Sequence, residues 1–287
     1  MITRRHTLKL LGLASTATAL PNLARAAATR SGLNFGVQMY TVRDHVADLP
    51  AILKLIHSIG YASIEGYPVI YDHPARALRQ LVGDSGLAFI TGHFDFATLD
   101  EKLDYASELG LKTIICPWID QPMRTPDGFA RAAEHFNRFT EKAAKQGIEF
   151  GYHFHNYEFK PLGKGPDAPR GFDILMRNFD PRIRIELDVY WVTEAGQNPL
   201  TLMKTFSSRL RMVHIKDRIP RQDFTTEMLP GQNRMTEAGK GTIDWPAVLR
   251  LARKLGVKEY YVDQDYTSLP IDECLRRNWD YLANLPL

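Results

Sequence analysis

Five times along this chain an apolar run of helical period ends on a glycine and gives way to a short β-rich run, at Gly60, Gly86, Gly110, Gly147 and Gly256. Glycine tolerates the positive φ that terminates a helix, so each of these marks a helix carboxyl end feeding a strand. Repetition of that unit restricts the fold to parallel strands joined by crossover helices. The β-rich runs lie at 34–40, 63–67, 88–93, 113–118, 149–155, 184–188, 211–216 and 259–263. Helical patterns fill the gaps at 49–58, 74–85, 99–109, 126–146, 172–178, 199–206, 245–255 and 272–282. An open, doubly wound sheet shares this local grammar. Eight strands in about 260 residues, with no linker dividing them, favour closure into a single (β/α)8 barrel of the α/β class.

Residues 1–28 stand outside that pattern. Arg4, Arg5 and Lys9 precede an apolar stretch at 10–20, and small residues follow at 24–28. That order is the order of an export leader, and the apolar stretch is too short to span a bilayer. Thr3-Arg4-Arg5-His6-Thr7-Leu8-Lys9 resembles a twin-arginine motif, with Thr7 where Phe is usual. Cleavage is expected after Ala26 or Ala28, leaving 29–287 as a periplasmic barrel domain. Loss of the leader removes four basic residues and no acid, which takes the formal charge from +3 to −1. Such a chain offers phosphates no cationic footprint, so nucleic acid is not an expected partner. Two cysteines, Cys116 and Cys274, are too few for a disulfide framework. No later stretch reaches the roughly eighteen apolar residues of a membrane span, so no stable membrane insertion is expected. A homo-oligomer stays open.

Polar side chains, most of them ionisable, gather at the carboxyl ends of the later strands, where a barrel keeps its chemistry. They are His153, His155 and Glu158 at strand five, Glu186 and Asp188 at six, His214, Lys216 and Asp217 at seven, and Asp263, Gln264 and Asp265 at eight. Buried beside an apolar interior, such groups are costly unless paired or bound to a cation, and one divalent metal ion satisfies them together. Taken singly each has a plainer reading: His214 a satisfied core histidine, Asp188 a helix cap, Glu158 an exposed loop acid. Trp118, Tyr190 and Trp191 sit beside these groups, where flat apolar faces stack on a sugar ring or pack in the core. His93 on strand three and Glu65 on strand two are candidate partners for sugar hydroxyls; Gln38 and Arg43 on strand one are weaker ones. The long stretches 160–170 and 218–240 follow strands five and seven and are expected to be loops around the mouth.

Six segments fall in order, five on or just after these predicted strands and one before the seventh predicted helix. They are Val37-Gln38-Met39-Tyr40-Thr41-Val42-Arg43, Tyr152-His153-Phe154-His155-Asn156-Tyr157-Glu158-Phe159, Glu186-Leu187-Asp188-Val189-Tyr190-Trp191, His214-Ile215-Lys216-Asp217, Gly239-Lys240-Gly241-Thr242-Ile243-Asp244-Trp245 and Val262-Asp263-Gln264-Asp265. In these the chain resembles the sugar phosphate isomerase/epimerase family, which has the xylose isomerase-like TIM barrel. Members of that family include tagatose-type 3-epimerases, inosose dehydratases and exported enzymes that cleave 3-keto-glycosides. The resemblance covers the whole chain after the leader.

It implies metal ligands at Glu158, Asp188, His214 and Asp263. Gln264 is the alternate at strand eight, because Asp263 stands where the family often has the longer Glu. The strand-five motif reads His153-Phe154-His155 where His-Asn-His is common, and the epimerase branch puts its strand-five ligand nearer His153. Oxygen donors with one imidazole suit Mn²⁺ first, then Mg²⁺ or Co²⁺, with Zn²⁺ admitted. The implied chemistry is enolisation of a small unphosphorylated sugar or keto-glycoside, leading to isomerisation, epimerisation or loss of a β-leaving group. Glu158 and Asp263 are the first candidates for proton transfer, His153 and His155 the next, and Lys216 a donor to the oxyanion. The rival readings are a noncatalytic periplasmic carbohydrate-binding barrel and an endonuclease IV-like nuclease. The nuclease requires a basic face, which a charge of −1 denies it.

Overall fold

The computed structural model describes residues 29–228 and 234–287; the leader and part of the loop after strand seven lie outside them. The parallel barrel is closed by β1 (Gly36–Gln38), β2 (Ser63–Gly66), β3 (Ala88–His93), β4 (Thr113–Cys116), β5 (Glu149–Phe154), β6 (Arg184–Asp188), β7 (Leu210–Ile215) and β10 (Glu259–Val262). Because β10 pairs with both β7 and β1, the ring has no edge, and the open doubly wound alternative is excluded. Around it run α1 (Leu49–Ile59), α2 (Ala75–Asp84), α3 (Leu99–Leu109), α4 (Pro126–Lys145), α5 (Gly171–Asn178), α7 (Pro199–Thr205), α8 (Trp245–Lys254) and α9 (Ile271–Asn284). One helix escaped the sequence reading: α6 (Val189–Glu194), six residues that leave β6 without a break. All five helix-ending glycines have positive φ, between 72° and 125°. No helix among the described residues is long and apolar enough to cross a membrane.

The longest helix illustrates why these elements form. Thr125 caps α4 by accepting a hydrogen bond from Gly128 N at 3.1 Å, and Pro126 presets the first helical φ. Phe129, Ala132, Ala133, Phe136, Phe139 and Ala143 then recur at helical spacing as one buried stripe. Each of the three phenylalanines is essentially inaccessible, and burial of such a ring contributes about 3 kcal/mol.

Strand alternation divides the interior in two. Outward-facing residues such as Ile64, Phe150, Tyr152 and Ile185 join the helices in the main core. Inside the barrel, Ile115, Met212 and Tyr261 form a small apolar plug of their own. Glycines make room for it: a Cβ on Gly36 would stand 2.6 Å from the Tyr261 ring, and one on Gly151 2.6 Å from Ile115 Cδ1. The neighbouring inward positions are polar. Register places His153 beside Glu186, Asp188 beside His214, and Gln38 beside Glu65.

The stretch after β7 is partly ordered as the antiparallel pair β8 (Asp217–Arg218) and β9 (Met235–Thr236). Asp217, grouped by sequence with the chemical residues, instead anchors this loop. It accepts from Gly239 N and Ile243 N, each at 3.0 Å, and from Trp245 Nε1 at 3.1 Å. Glu194 at the end of α6 takes Arg218 Nε at 2.7 Å on one oxygen and Arg234 on the other. Asn156, just beyond β5, donates to Thr225 O and Glu227 O at 3.0 Å each. These tethers bring Met228 to the mouth of the barrel, where it lines the cavity described next.

Candidate metal centre and substrate cavity

Asp188, His214 and Asp263, from β6, β7 and the end of β10, each place a ligand atom within 4.8 Å of the others. Asp188 serves two ends: Oδ1 accepts Trp191 N at 2.8 Å and so caps α6, while Oδ2 faces the barrel axis. His214 Nδ1 lies 3.1 Å from Asp263 Oδ2 and 3.9 Å from Asp188 Oδ2. His153 Nε2 faces the same space, 3.8 Å from Asp188 Oδ2. Lys216 Nζ stands 2.7 Å from Oδ2 of Asp188, Asp263 and Asp265 alike. Burial lowers the Lys216 pKa, but the three aspartates outweigh it and hold it well above the ordinary lysine value. Burial raises Asp263, and Lys216 and His214 reverse that, keeping it well below the usual carboxylate range.

Beneath this set lies a second layer that carries the other ring nitrogens. Glu186 Oε2 meets His153 Nδ1 at 2.9 Å and His93 Nε2 at 2.7 Å, and its Oε1 lies 3.2 Å from His214 Nε2. Glu65 Oε2 meets His214 Nε2 at 2.6 Å, and its Oε1 accepts from Thr91 Oγ1 at 2.8 Å. Desolvation raises Glu186, but His214 and His93 outweigh it and hold it well below the usual range. Burial lowers His93, and Glu65 and Glu186 together lift it to about 9. The Gln38 amide opposes that second proton. Its oxygen is taken by Tyr40 N, so Nε2 is what faces His93 Nδ1 at 3.0 Å, and we assign His93 as the Nε2–H tautomer.

The upper set fits a divalent cation. Asp263 Oδ1 is buried without a hydrogen bond, Asp188 Oδ2 has the Lys216 ammonium beside it at 2.7 Å, and an excess of carboxylate oxygens beside two imidazole nitrogens is a donor set for Mn²⁺, Co²⁺ or Zn²⁺. Above it opens a cavity of about 340 Å³, within the range of small-molecule sites, lined by His153, His155, Asp263, Asp265, Trp118 and Met228 among others.

A family model described as the xylose isomerase-like TIM barrel matches residues 53–268. The chain belongs to that family. An inosose dehydratase of Klebsiella pneumoniae is 28% identical over 193 residues, which are 58% of this chain and 62% of that protein. The chain spans about half the length of most of the curated relatives it matches. A sugar phosphate isomerase/epimerase from Parabacteroides distasonis superposes with a TM-score of 0.75 at 24% identity, over 89% of this chain and 95% of that one. A structure described as IOLI protein with a binding zinc atom superposes with a TM-score of 0.66 at 14% identity, over 86% and 96%.

Within this xylose isomerase-like barrel, the residues expected from sequence are distributed unevenly. His93, His153, His155, Trp118 and Asp263 line the cavity. Glu65 is fully buried beneath His214 rather than in the cavity. Tyr190 and Trp191, 2% and 7% exposed, do not line the cavity and pack with Met235 near Lys216. Gln264 holds Thr41 Oγ1 and Tyr266 O and leaves its Oε1 unpartnered. Arg43 stacks on Tyr40 and donates to Asp265 O, bracing the rim. Sequence reasoning passed over Tyr40, Tyr67, Asp95 and Met228, which also line the cavity. Tyr40 lies in the strand-one motif and could have been found there; Met228 sits in a loop with no pattern.

Glu158 is the main correction. β5 ends at Phe154, and the turn that follows carries Glu158 behind the barrel wall. There it accepts from Tyr152 OH at 2.6 Å and from His155 N at 2.9 Å, and it belongs to neither cluster of metal-binding type, the one of Asp188, His214 and Asp263 or the one of His93, His153, Glu186 and His214. Tyr152 faces the helix layer, so its partner Glu158 is drawn outward, whereas inward-facing His153 takes the expected ligand's place. Burial raises the Glu158 pKa to about 7, against hydrogen bonds that lower it.

A stability prediction follows from that shift. Between the ordinary value of 4.5 and about 7 the folded protein binds the proton more tightly than the unfolded chain. Stability therefore falls as pH rises through this window and levels off above it. The full span is on the order of 3 kcal/mol. Urea unfolding of Glu158→Gln at pH 5 and pH 8 is expected to lose correspondingly less stability between the two than wild type. Equal losses would refute the assignment.

Proposed function

We propose that this protein is a divalent-metal-dependent carbon–oxygen lyase, or an isomerase or epimerase sharing its first step, acting on an unphosphorylated sugar or keto-glycoside. The observation that carries this reading is the convergence of Asp188, His214 and Asp263 at a cavity of small-molecule size. The dehydratase activity named for relatives at 26–28% identity supports the lyase branch. Among the described residues no arginine or lysine lines the cavity, whereas Asp95, Asp263 and Asp265 do. A phosphate dianion would meet like charge there, which favours an uncharged substrate.

A divalent ion held by His153, Asp188, His214 and Asp263 would supply polarisation of a substrate carbonyl. The side chains do the rest. Asp263 Oδ1, unpartnered on the cavity wall, accepts the proton from the carbon beside that carbonyl. The C–H bonding pair moves toward the carbonyl oxygen, giving an enediolate; Lys216, fully buried among three aspartates and off the cavity lining, holds Asp263 in place rather than reaching that oxygen. Return of the proton on the opposite face is epimerisation. Departure of a β-oxygen substituent with its bonding pair is elimination. His155, which burial keeps neutral, leaves Nδ1 free for a substrate hydroxyl, and Trp118 offers a ring face.

The test is incubation of metal-loaded protein with free sugars, keto sugars and 3-keto-glycosides in deuterated water. The product is expected to carry deuterium beside the carbonyl and to vanish on chelation. Turnover that survives chelation with no deuterium incorporated would defeat the proposal. We also propose export of the chain: the periplasmic protein is expected to begin at Ala27 or Thr29, and an intact Met1 on cytoplasmic protein would refute it.

A further inference from the structure

We infer that Glu186 is a positioning residue for the centre: its carboxylate sets which ring nitrogen of His153 is offered to the ion, while Glu65 does the same for His214. This rests on the metal reading above.

The two rings present themselves in opposite senses. His153 gives Nδ1 to Glu186 Oε2 at 2.9 Å and turns Nε2 toward Asp188. His214 gives Nε2 to the lower layer, 3.2 Å from Glu186 Oε1 and 2.6 Å from Glu65 Oε2, and turns Nδ1 toward Asp263 and Asp188. A neutral imidazole carries one N–H. Where a carboxylate claims it, the opposite nitrogen keeps its lone pair for a cation, and the ring cannot rotate without breaking that bond. Glu186 is fully buried and on the strand between the two histidines, paired in register with His153 and with Met212 of β7. Its Oε2 is shared by two rings, His153 and His93, while Oε1 makes no hydrogen bond and stands 3.2 Å from His214 Nε2.

The two ligands depend on it unequally. His214 Nε2 is hydrogen-bonded to Glu65, whereas the only carboxylate within hydrogen-bond distance of His153 Nδ1 among the described residues is Glu186. Loss of the Glu186 charge should therefore free His153 first. A glutamine keeps the volume but offers one acceptor oxygen and an N–H₂ that confronts the remaining ring nitrogen. Outer partners of this kind are worth roughly 10- to 100-fold in metal affinity.

The experiment reads the rings directly. In zinc-loaded full-length wild type, ¹⁵N-resolved imidazole spectra are expected to show His153 protonated at Nδ1 and His214 protonated at Nε2. The Glu186→Gln variant is expected to disturb the His153 pattern, keep that of His214, and weaken zinc binding by roughly 10- to 100-fold in calorimetry. A Glu65→Gln variant should disturb His214 and spare His153. Two outcomes overturn the inference alone, with the metal reading intact: wild-type His153 bound to zinc through Nδ1, or Glu186→Gln binding zinc as tightly as wild type with unchanged ring signals. Wild type that binds no zinc or manganese at all overturns both. The wild-type spectrum decides the ring assignment even where a variant fails to fold.

Discussion

Replacing His214 with alanine is expected to strip the protein of its divalent ion and to lower turnover at least a hundredfold, a loss beyond that seen for outer partners. His214 is the residue shared by both clusters, with Nδ1 on the Asp188 and Asp263 side and Nε2 on Glu65 and Glu186. On the proposed reading its removal takes away a ligand, and it leaves Asp263 and Glu65 without the ring they bond. Asp188→Asn makes a sharper companion. Asparagine still caps α6, where Asp188 Oδ1 accepts Trp191 N, but it removes the charge that faces the axis. Metal content by elemental mass spectrometry is expected to fall from about one ion per chain to near none in both variants, with the fold retained in Asp188→Asn. A variant that keeps its ion and its turnover would remove these residues from the centre.

Lys216→Met is expected to unfold well below wild type in the presence of a chelator, and the gap is expected to narrow when a divalent ion is added. Lys216 is fully buried and is the one ammonium shared by Asp188, Asp263 and Asp265. Breaking a buried ion pair on one side typically costs 3–5 kcal/mol, because the remaining charge has neither water nor partner. For a chain of this size that is on the order of 10 °C in Tm. An ion bound by Asp188 and Asp263 supplies the missing positive charge, so it should stabilise the variant more than the wild type. Thermal unfolding of both proteins with chelator and with manganese checks this. Identical melting in chelator would mean that Lys216 does not balance these acids.

The barrel was legible because its signals are local. The apolar stripe of α4 and the glycines ending five helices act within a turn or two of chain. α6 was missed for the same reason: six mostly apolar residues directly after a strand carry no period of their own, and only the cap at Asp188 marks the start. The site was legible in part. Asp188, His214 and Asp263 follow from strand-end position and residue type, since an inward-facing acid or imidazole at that height has few ways to be satisfied. Glu158 shows the limit of such reading, because residue type is right and direction is wrong. Beyond the end of β5 the alternation no longer applies, and the pull of Tyr152 on its carboxylate is invisible in the string of letters.

By itself, then, the order of residues determined that eight strands would alternate with helices and that ionisable groups would crowd one end of them. Only the closed ring decided which of those groups meet. Register and closure bring β2, β3, β5, β6, β7 and β10 to one axis, so that a carboxylate from β6 bonds rings from β3 and β5 and stands beside the ring from β7. Distances of that kind depend on contacts between residues far apart in the chain, such as the 149 positions that separate Glu65 from His214. No local preference encodes them, and they exist only when the last strand has closed on the first.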